Sequence, residues 1–200
     1  MNDSIVVVDD DPIIRMDIRE MLEEAGYFVA GEARNGEEAV ALVARLRPAL
    51  VIMDVKMPVM DGIKASRIIR SMREDTSILL LTAYSQRELV MDARQAGVTA
   101  YLVKPVSEQN VIPAVEMALS QKEKFESLKQ DLNRLKQSIE ERKRVEKAKG
   151  IVMRALALDE EAAYRKMRSA SMSSQLPLGK LAEMIVAGEP EQWPDTMKNG

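Results

Sequence analysis

Four short runs, apolar at every position, constrain this chain most: Ile5-Val6-Val7-Val8, Leu50-Val51-Ile52-Met53, Ile78-Leu79-Leu80-Leu81 and Ala100-Tyr101-Leu102-Val103. A strand with one solvated face alternates apolar and polar residues, so an unbroken apolar run predicts a strand buried on both faces of a parallel sheet. Phe28-Val29-Ala30 is a weaker fifth run. Between the runs, Ile14, Ile18, Met21 and Leu22, and again Ala39, Val40, Val43 and Leu46, recur at helical spacing. Strand–helix alternation five times over predicts an open α/β sheet with right-handed crossovers. Such sheets bind ligands beyond the carboxyl ends of their strands, which directs attention to the residue after each run.

Those residues carry chemistry. Asp9, Asp10 and Asp11 follow the first run, Asp54 the second, Thr82 the third and Lys104 the fourth. One aspartate at a strand end is ordinarily a helix cap, but capping does not account for the whole set. Carboxylates gathered at one sheet edge raise one another's pKa unless a cation neutralises them. The chain has no histidine and no cysteine, so thiol chemistry and disulfides are excluded and any metal is a hard ion held by oxygen, such as Mg²⁺. A lysine and a hydroxyl beside such a site suit the oxygens of a phosphoryl group carried on one carboxylate.

The remainder is helical in pattern. Phe125, Leu128, Leu132, Leu135 and Ile139 form a heptad seam that fades at Arg142. It predicts a long helix that pairs with a second copy, or one folded back on its own chain. Further on, Ala148, Val152 and Leu156, then Ala162, Met167 and Ala170, then Leu178, Leu181 and Ile185 predict three helical segments. Breaks fall near Leu158-Asp159 and Leu176-Pro177, with Asp159 as an N-cap. The expected division is therefore 1–120 for the α/β domain, 121–141 for the coiled-coil linker, 142–188 for a small three-helix domain and 189–200 for a flexible tail anchored by Trp193. Residues 1–120 hold 13 Lys+Arg against 19 Asp+Glu, while 121–200 hold 16 against 13. A basic second part suits an anionic partner, although a solvated charged face has the same composition. No apolar run approaches the roughly 20 residues that span a bilayer, and the first ten residues lack the basic start of a signal peptide. The expectation is a cytoplasmic protein without a membrane partner.

Residues 1–120 resemble the receiver domains of two-component response regulators. The resemblance is carried by Val-Val-Val-Asp-Asp-Asp-Pro (6–12), Asp54-Val-Lys-Met-Pro-Val-Met-Asp-Gly62, Thr82-Ala83 and Lys104-Pro105. It implies a five-stranded doubly wound parallel sheet, flavodoxin-like, in the order 2-1-3-4-5. It implies Asp54 as phosphoacceptor, Asp9, Asp10 and Asp54 as Mg²⁺ ligands with the backbone carbonyl of Lys56, and Thr82, Ala83 and Lys104 around the phosphoryl group. Tyr101 would be the aromatic switch residue, and Lys104-Pro105 a cis bond. Asp61 and Gly62 would shape a loop and start a helix. Without histidine the chain cannot be its own phosphohistidine donor, so a sensor histidine kinase is the implied partner.

Arg144-Val-Glu-Lys-Ala-Lys-Gly-Ile-Val-Met153, with Glu161-Ala-Ala-Tyr164, Met167-Arg168, Ala170-Ser-Met172 and Leu181-Ala182, resembles the ANTAR domain of AmiR- and NasR-type antiterminators. The order receiver, coiled coil, ANTAR is similar to that of ethanolamine-utilisation regulators. The resemblance implies a non-enzymatic regulator that dimerises on phosphorylation and binds hairpins in mRNA leaders, preventing transcription termination. Arg144, Lys147, Lys149 and Arg168 would contact phosphates or bases. Ala148 and Gly150 would either admit an RNA loop closely or pack helices tightly, and Tyr164 would either stack on a base or fill the core. A phosphorylation-controlled protein-binding switch and a DNA-binding regulator are the alternatives.

Overall fold

The computed structural model describes residues 4–83, 91–93, 95–188, 193 and 197. The chain divides into two compact units, Met1–Leu128 and Lys129–Gly200.

The first unit holds β1 (Ser4–Val8), α1 (Pro12–Glu24), β2 (Phe28–Ala33), α2 (Gly36–Leu46), β3 (Leu50–Asp54), α3 (Gly62–Met72), β4 (Ser77–Thr82) and β5 (Ala100–Val103). The five strands pair in parallel in the order β2-β1-β3-β4-β5, as expected for a doubly wound sheet. Alternation along each strand divides the core. Ile5, Val7, Leu50, Ile52, Leu79 and Leu81 meet Ile18 and Leu22 of α1 and Val111, Val115 and Ala118 further along the chain. Their neighbours Val6, Val8, Val51, Met53, Ile78 and Leu80 meet Ala39 and Val43 of α2 and Ala65 and Ile69 of α3. Every residue of β3 and β4 is buried, which is why these runs carry no polar alternation.

Capping fixes where the helices begin. Asp11 accepts from the Ile13 backbone N–H with Pro12 at the first helical position, Asn35 caps α2 through Glu38 N–H, and Asp61 caps α3 through Lys64 N–H. Of the three consecutive aspartates, Asp11 is therefore the cap.

The element α4 runs unbroken from Glu108 to Leu156, with Pro113 inside it. The linker and the first segment of the small helical domain, two elements in the sequence pattern, are one helix. Gly150 is the only weak helix former of its kind in that stretch, and one glycine costs only about 1 kcal/mol. The seam residues Phe125, Leu128, Leu132, Leu135 and Ile139 are all exposed, so the chain does not fold back to cover them among the described residues.

In the second unit, α5 (Glu160–Ser173) and α6 (Leu178–Ala187) pack with the end of α4. Ala148, Val152, Ala163, Met167, Ala170, Leu181, Ala182 and Ile185 form the core, joined by Trp193 and Met197. Asp159 caps α5 through Ala162 N–H, and it is Ala163 rather than Ala162 that the α5 face buries. The turns after α4 and α5 place Ala157 and Gln175 at φ +52°. These left-handed residues, with Leu158 N–H reaching Met153 O and Leu176 N–H reaching Ser171 O, end both helices without glycine. The expectation of a flexible tail at 189–200 falls, apart from buried Trp193 and Met197, outside the described residues. No helix among the described residues is long and apolar enough to cross a membrane.

Candidate functional site

Four strand ends build the site in the first unit. Asp9 follows β1, Asp54 ends β3 and Lys104 follows β5, while Thr82 ends β4. Carboxylate oxygens of Asp9, Asp10 and Asp54 lie within 4.8 Å of one another. Asp9 is 1% exposed and Asp54 6%, whereas Asp10 faces solvent. Lys104 Nζ sits 2.6 Å from Asp9 Oδ2 and 3.0 Å from Asp54 Oδ1. Burial holds the Asp54 carboxyl above the usual carboxylate range, and the Lys104 hydrogen bond and charge pull the other way without cancelling it. Burial lowers the Lys104 ammonium, but Asp9 and Asp54 together outweigh that and raise it.

Backbone contacts make this arrangement rigid. Asp9 Oδ1 accepts from Asp11 N–H, and Arg15 Nη1 donates to the Asp9 carbonyl at 2.7 Å. Val55 N–H donates to Leu81 O, Gly62 N–H to Val55 O, and Lys104 N–H to Thr82 O. A Cβ on Gly62 would collide with the Asp54 carbonyl oxygen, so this glycine does more than begin a helix: it lets α3 lie against the end of β3. The Lys104–Pro105 bond is cis. Sequence reasoning missed Arg15, a surface residue of α1 by its pattern, because nothing in its residue type signals a carbonyl partner. Ala83 is exposed just past Thr82, Lys56 is exposed in the turn after Asp54, and Tyr101 on β5 is 45% exposed.

The donor set fits a divalent cation. Three carboxylates face one lysine, and all potential ligands are oxygens, the preference of Mg²⁺ and similar ions. Excess negative charge held out of water is the condition that a bound cation relieves.

The basic module is less uniform than its sequence suggests. Arg144, Lys147, Tyr164 and Arg168 are exposed. Ala148 is fully buried in the core, which favours helix packing, the tight fit that its small side chain allows, over approach of an RNA loop. Gly150 is half-buried, and a Cβ there would meet nothing within 4 Å; open space, not helix packing, surrounds it. Lys149 is nearly buried, with Nζ 2.6 Å from Glu146 and 2.8 Å from Glu160. Those hydrogen bonds raise its ammonium pKa and commit its charge within the module. Glu141 lies against Gly179 at the start of α6, where a Cβ would collide with its carboxylate.

Comparison with known proteins places both units. Residues 5–116 match the response regulator receiver domain and residues 133–186 the ANTAR domain. The transcriptional regulatory protein PdtaR of Mycobacterium tuberculosis is 43% identical over 182 residues, covering 91% of this chain and 88% of PdtaR. The transcriptional regulatory protein YdfI of Bacillus subtilis is 30% identical over 190 residues, covering 88% of this chain and 89% of YdfI. A CheY-like receiver domain from Methanospirillum hungatei superposes with a TM-score of 0.59 at 27% identity, over 62% of this chain and 99% of that one. A CheX–CheY–BeF3–Mg complex from Borrelia burgdorferi gives a TM-score of 0.55 at 25% identity, over 56% and 85%.

Proposed function

Because the chain belongs to the response regulators that join a receiver domain to an ANTAR domain, we propose that it is a phosphorylation-controlled RNA-binding antiterminator. The observation that carries the first half is the buried Asp54 carboxylate with Lys104 at 3.0 Å and Asp9 and Asp10 beside it.

In this reading an Asp54 oxygen attacks the phosphorus of a sensor kinase's phosphohistidine. The P–N bond breaks, and the acyl phosphate stays on Asp54 while the imidazole leaves. Burial, by raising the Asp54 pKa, opposes the ionised nucleophile; Lys104 counters this by holding a positive charge against it. Mg²⁺ bound by Asp9, Asp10, Asp54 and the Lys56 carbonyl would neutralise charge on the transferring group, in keeping with the Mg²⁺ of the CheX–CheY complex. Thr82 and Lys104 would then hold the phosphoryl oxygens. Tyr101, exposed on β5, would move inward with Thr82.

The exposed seam from Phe125 to Ile139 supports dimerisation as the consequence, since a helix with one apolar stripe gains by covering it with a copy of itself. Pairing two modules multiplies their affinity for a two-hairpin RNA through effective concentration, by about 10²-fold or more. Hairpin loops present unstacked bases that exposed Tyr164, Arg144, Lys147 and Arg168 can reach. The output is thus binding, not catalysis.

The test is a gel-shift titration with a two-hairpin leader RNA, with and without acetyl phosphate and Mg²⁺. The reading expects tighter binding on phosphorylation, dependent on loop sequence and absent for duplex DNA. It is overturned if Asp54→Ala protein dimerises and binds as well as phosphorylated wild type.

A further inference from the structure

The second unit contains an open cleft of about 730 Å³. One wall is a stripe of α4 that includes Glu141, Arg142, Val145 and Glu146; the other is the start of α5, with Glu160, Glu161 and Tyr164. Lys149 closes the floor. The volume lies within the range of sites for small organic groups.

The charges in the cleft are unequal in availability. Lys149 is consumed by Glu146 and Glu160, and Glu161 meets Arg165 at 3.1 Å on the exposed side. Glu141 has no hydrogen bond or ion pair among the described residues; its carboxylate only rests against Gly179. Four glutamates against Arg142 and Lys149 leave the lining net negative, so a phosphate is repelled from it. A carboxylate only accepts hydrogen bonds, and Tyr164, 40% exposed on the wall, presents an aromatic surface. Exposed Lys147 and Arg168 lie outside the lining, where a nucleic-acid backbone would meet positive charge.

We propose that this cleft receives one unstacked RNA base bearing an exocyclic amino group, with Glu141 accepting from the amino group and Tyr164 stacking on the ring. The inference rests on the RNA-binding reading above and sharpens it. A base of this class offers the N–H donors of its amino group to the carboxylate, whereas uracil has only N3–H, flanked by two carbonyl oxygens that the carboxylate repels, and is disfavoured. Specificity thus comes from an acidic cleft set inside a basic surface: the surface holds the backbone and the cleft sorts the base.

The experiment uses the full chain treated with acetyl phosphate and Mg²⁺, selecting from RNA hairpins of fixed stem and randomised loop. Wild type is expected to enrich loops that exclude uridine at one position, and Glu141→Gln to lose that exclusion alone. In a selected hairpin, replacing the base at that position by its amine-free analogue (inosine for guanosine, purine riboside for adenosine) is expected to weaken wild-type binding about ten- to hundredfold. The same replacement should leave Glu141→Gln nearly unaffected. Tyr164→Ser is expected to weaken every selected loop. The cleft assignment is overturned if Glu141→Gln retains the wild-type loop preference, or if the analogue binds wild type as well as the parent base does. The analogue measurement needs no variant and stands even if a substitution unfolds the module. Wild type that enriches no loop at all would overturn the RNA reading itself.

Discussion

Each unit of this molecule sets one lysine between two carboxylates, and the two arrangements differ in what they can do. Lys104 bridges Asp9 and Asp54 at 2.6 and 3.0 Å, and Lys149 bridges Glu146 and Glu160 at 2.6 and 2.8 Å. The distances are nearly equal. The carboxylates are not: those around Lys104 are 1% and 9% exposed at the side chain, and those around Lys149 are 57% and 72%. Exposed glutamates can turn to water, so their attraction for Lys149 is worth less than about 1 kcal/mol. Asp9 and Asp54 are fixed by strand ends and cannot escape their mutual field. A lysine between acids is therefore a loose tie in one unit and an enforced concentration of charge in the other, and burial of the acids makes the distinction.

The largest contrast is chemical. Asp54→Asn should abolish acetyl-phosphate-dependent phosphorylation, read by mass spectrometry of the intact chain, whereas Glu160→Gln should leave it at the wild-type level. Phosphorylation persisting in Asp54→Asn would mean that another carboxylate is the acceptor.

Removing each lysine tests the comparison directly. Lys104→Ala leaves two buried acids without a counter-charge and should cost about 2–4 kcal/mol in Mg²⁺-free buffer, with Mg²⁺ recovering part of it. Lys149→Ala should cost less than about 1 kcal/mol. Urea melts followed by circular dichroism measure both. Equal losses would break the comparison.

The two crowded glycines differ in the same sense. At Gly62 an added methyl meets the Asp54 backbone carbonyl, which cannot move without displacing β3; at Gly179 it meets the end of the flexible Glu141 side chain. Gly62→Ala should destabilise by about 2–3 kcal/mol and Gly179→Ala by less than about 1 kcal/mol.

A smaller effect follows from the raised Asp54 pKa, caused first by burial. A carboxyl whose folded pKa exceeds its unfolded value binds more protons when folded, so its contribution to stability falls as pH rises from the unfolded value through the folded one. Asp54→Asn removes that dependence. Without metal its melting temperature should exceed that of wild type by a margin that widens with pH over this window, and Mg²⁺ should close the margin. A margin independent of pH would place the burial cost elsewhere.

The sheet was legible because burial on both faces removes polar residues from the interiors of β1, β3 and β4, and the site was legible because its groups stand at or just past strand ends. Neither signal exists in the helical unit. Lys149, Glu146 and Glu160 look in sequence like members of a solvated basic face, and only the return of α5 onto α4 brings Glu160 to Lys149, eleven residues away. Ala148 illustrates the same limit: a small residue at a helix surface suits RNA approach or helix packing equally until its neighbours are placed. Ala157 and Gln175 end their helices in a left-handed conformation that neither residue type advertises.

The smallest predicted effect lies beside Asp54. Val59, exposed in the turn between β3 and α3, has φ +66°, a region in which L-residues lose roughly 1–2 kcal/mol and β-branched ones fit worst. Glycine would remove that strain but add freedom to the unfolded chain, which offsets roughly 0.5–1 kcal/mol of the gain. Val59→Gly should therefore stabilise the protein by no more than about 1 kcal/mol. Ala157→Gly, at φ +52° in the helical unit, should gain less, because alanine is unbranched and loses less in the left-handed region. The two variants melted side by side rank the strain in the two units. A larger gain at Ala157 would mean that the turn beside Asp54 is relaxed, and that the site's rigidity comes wholly from its buried contacts.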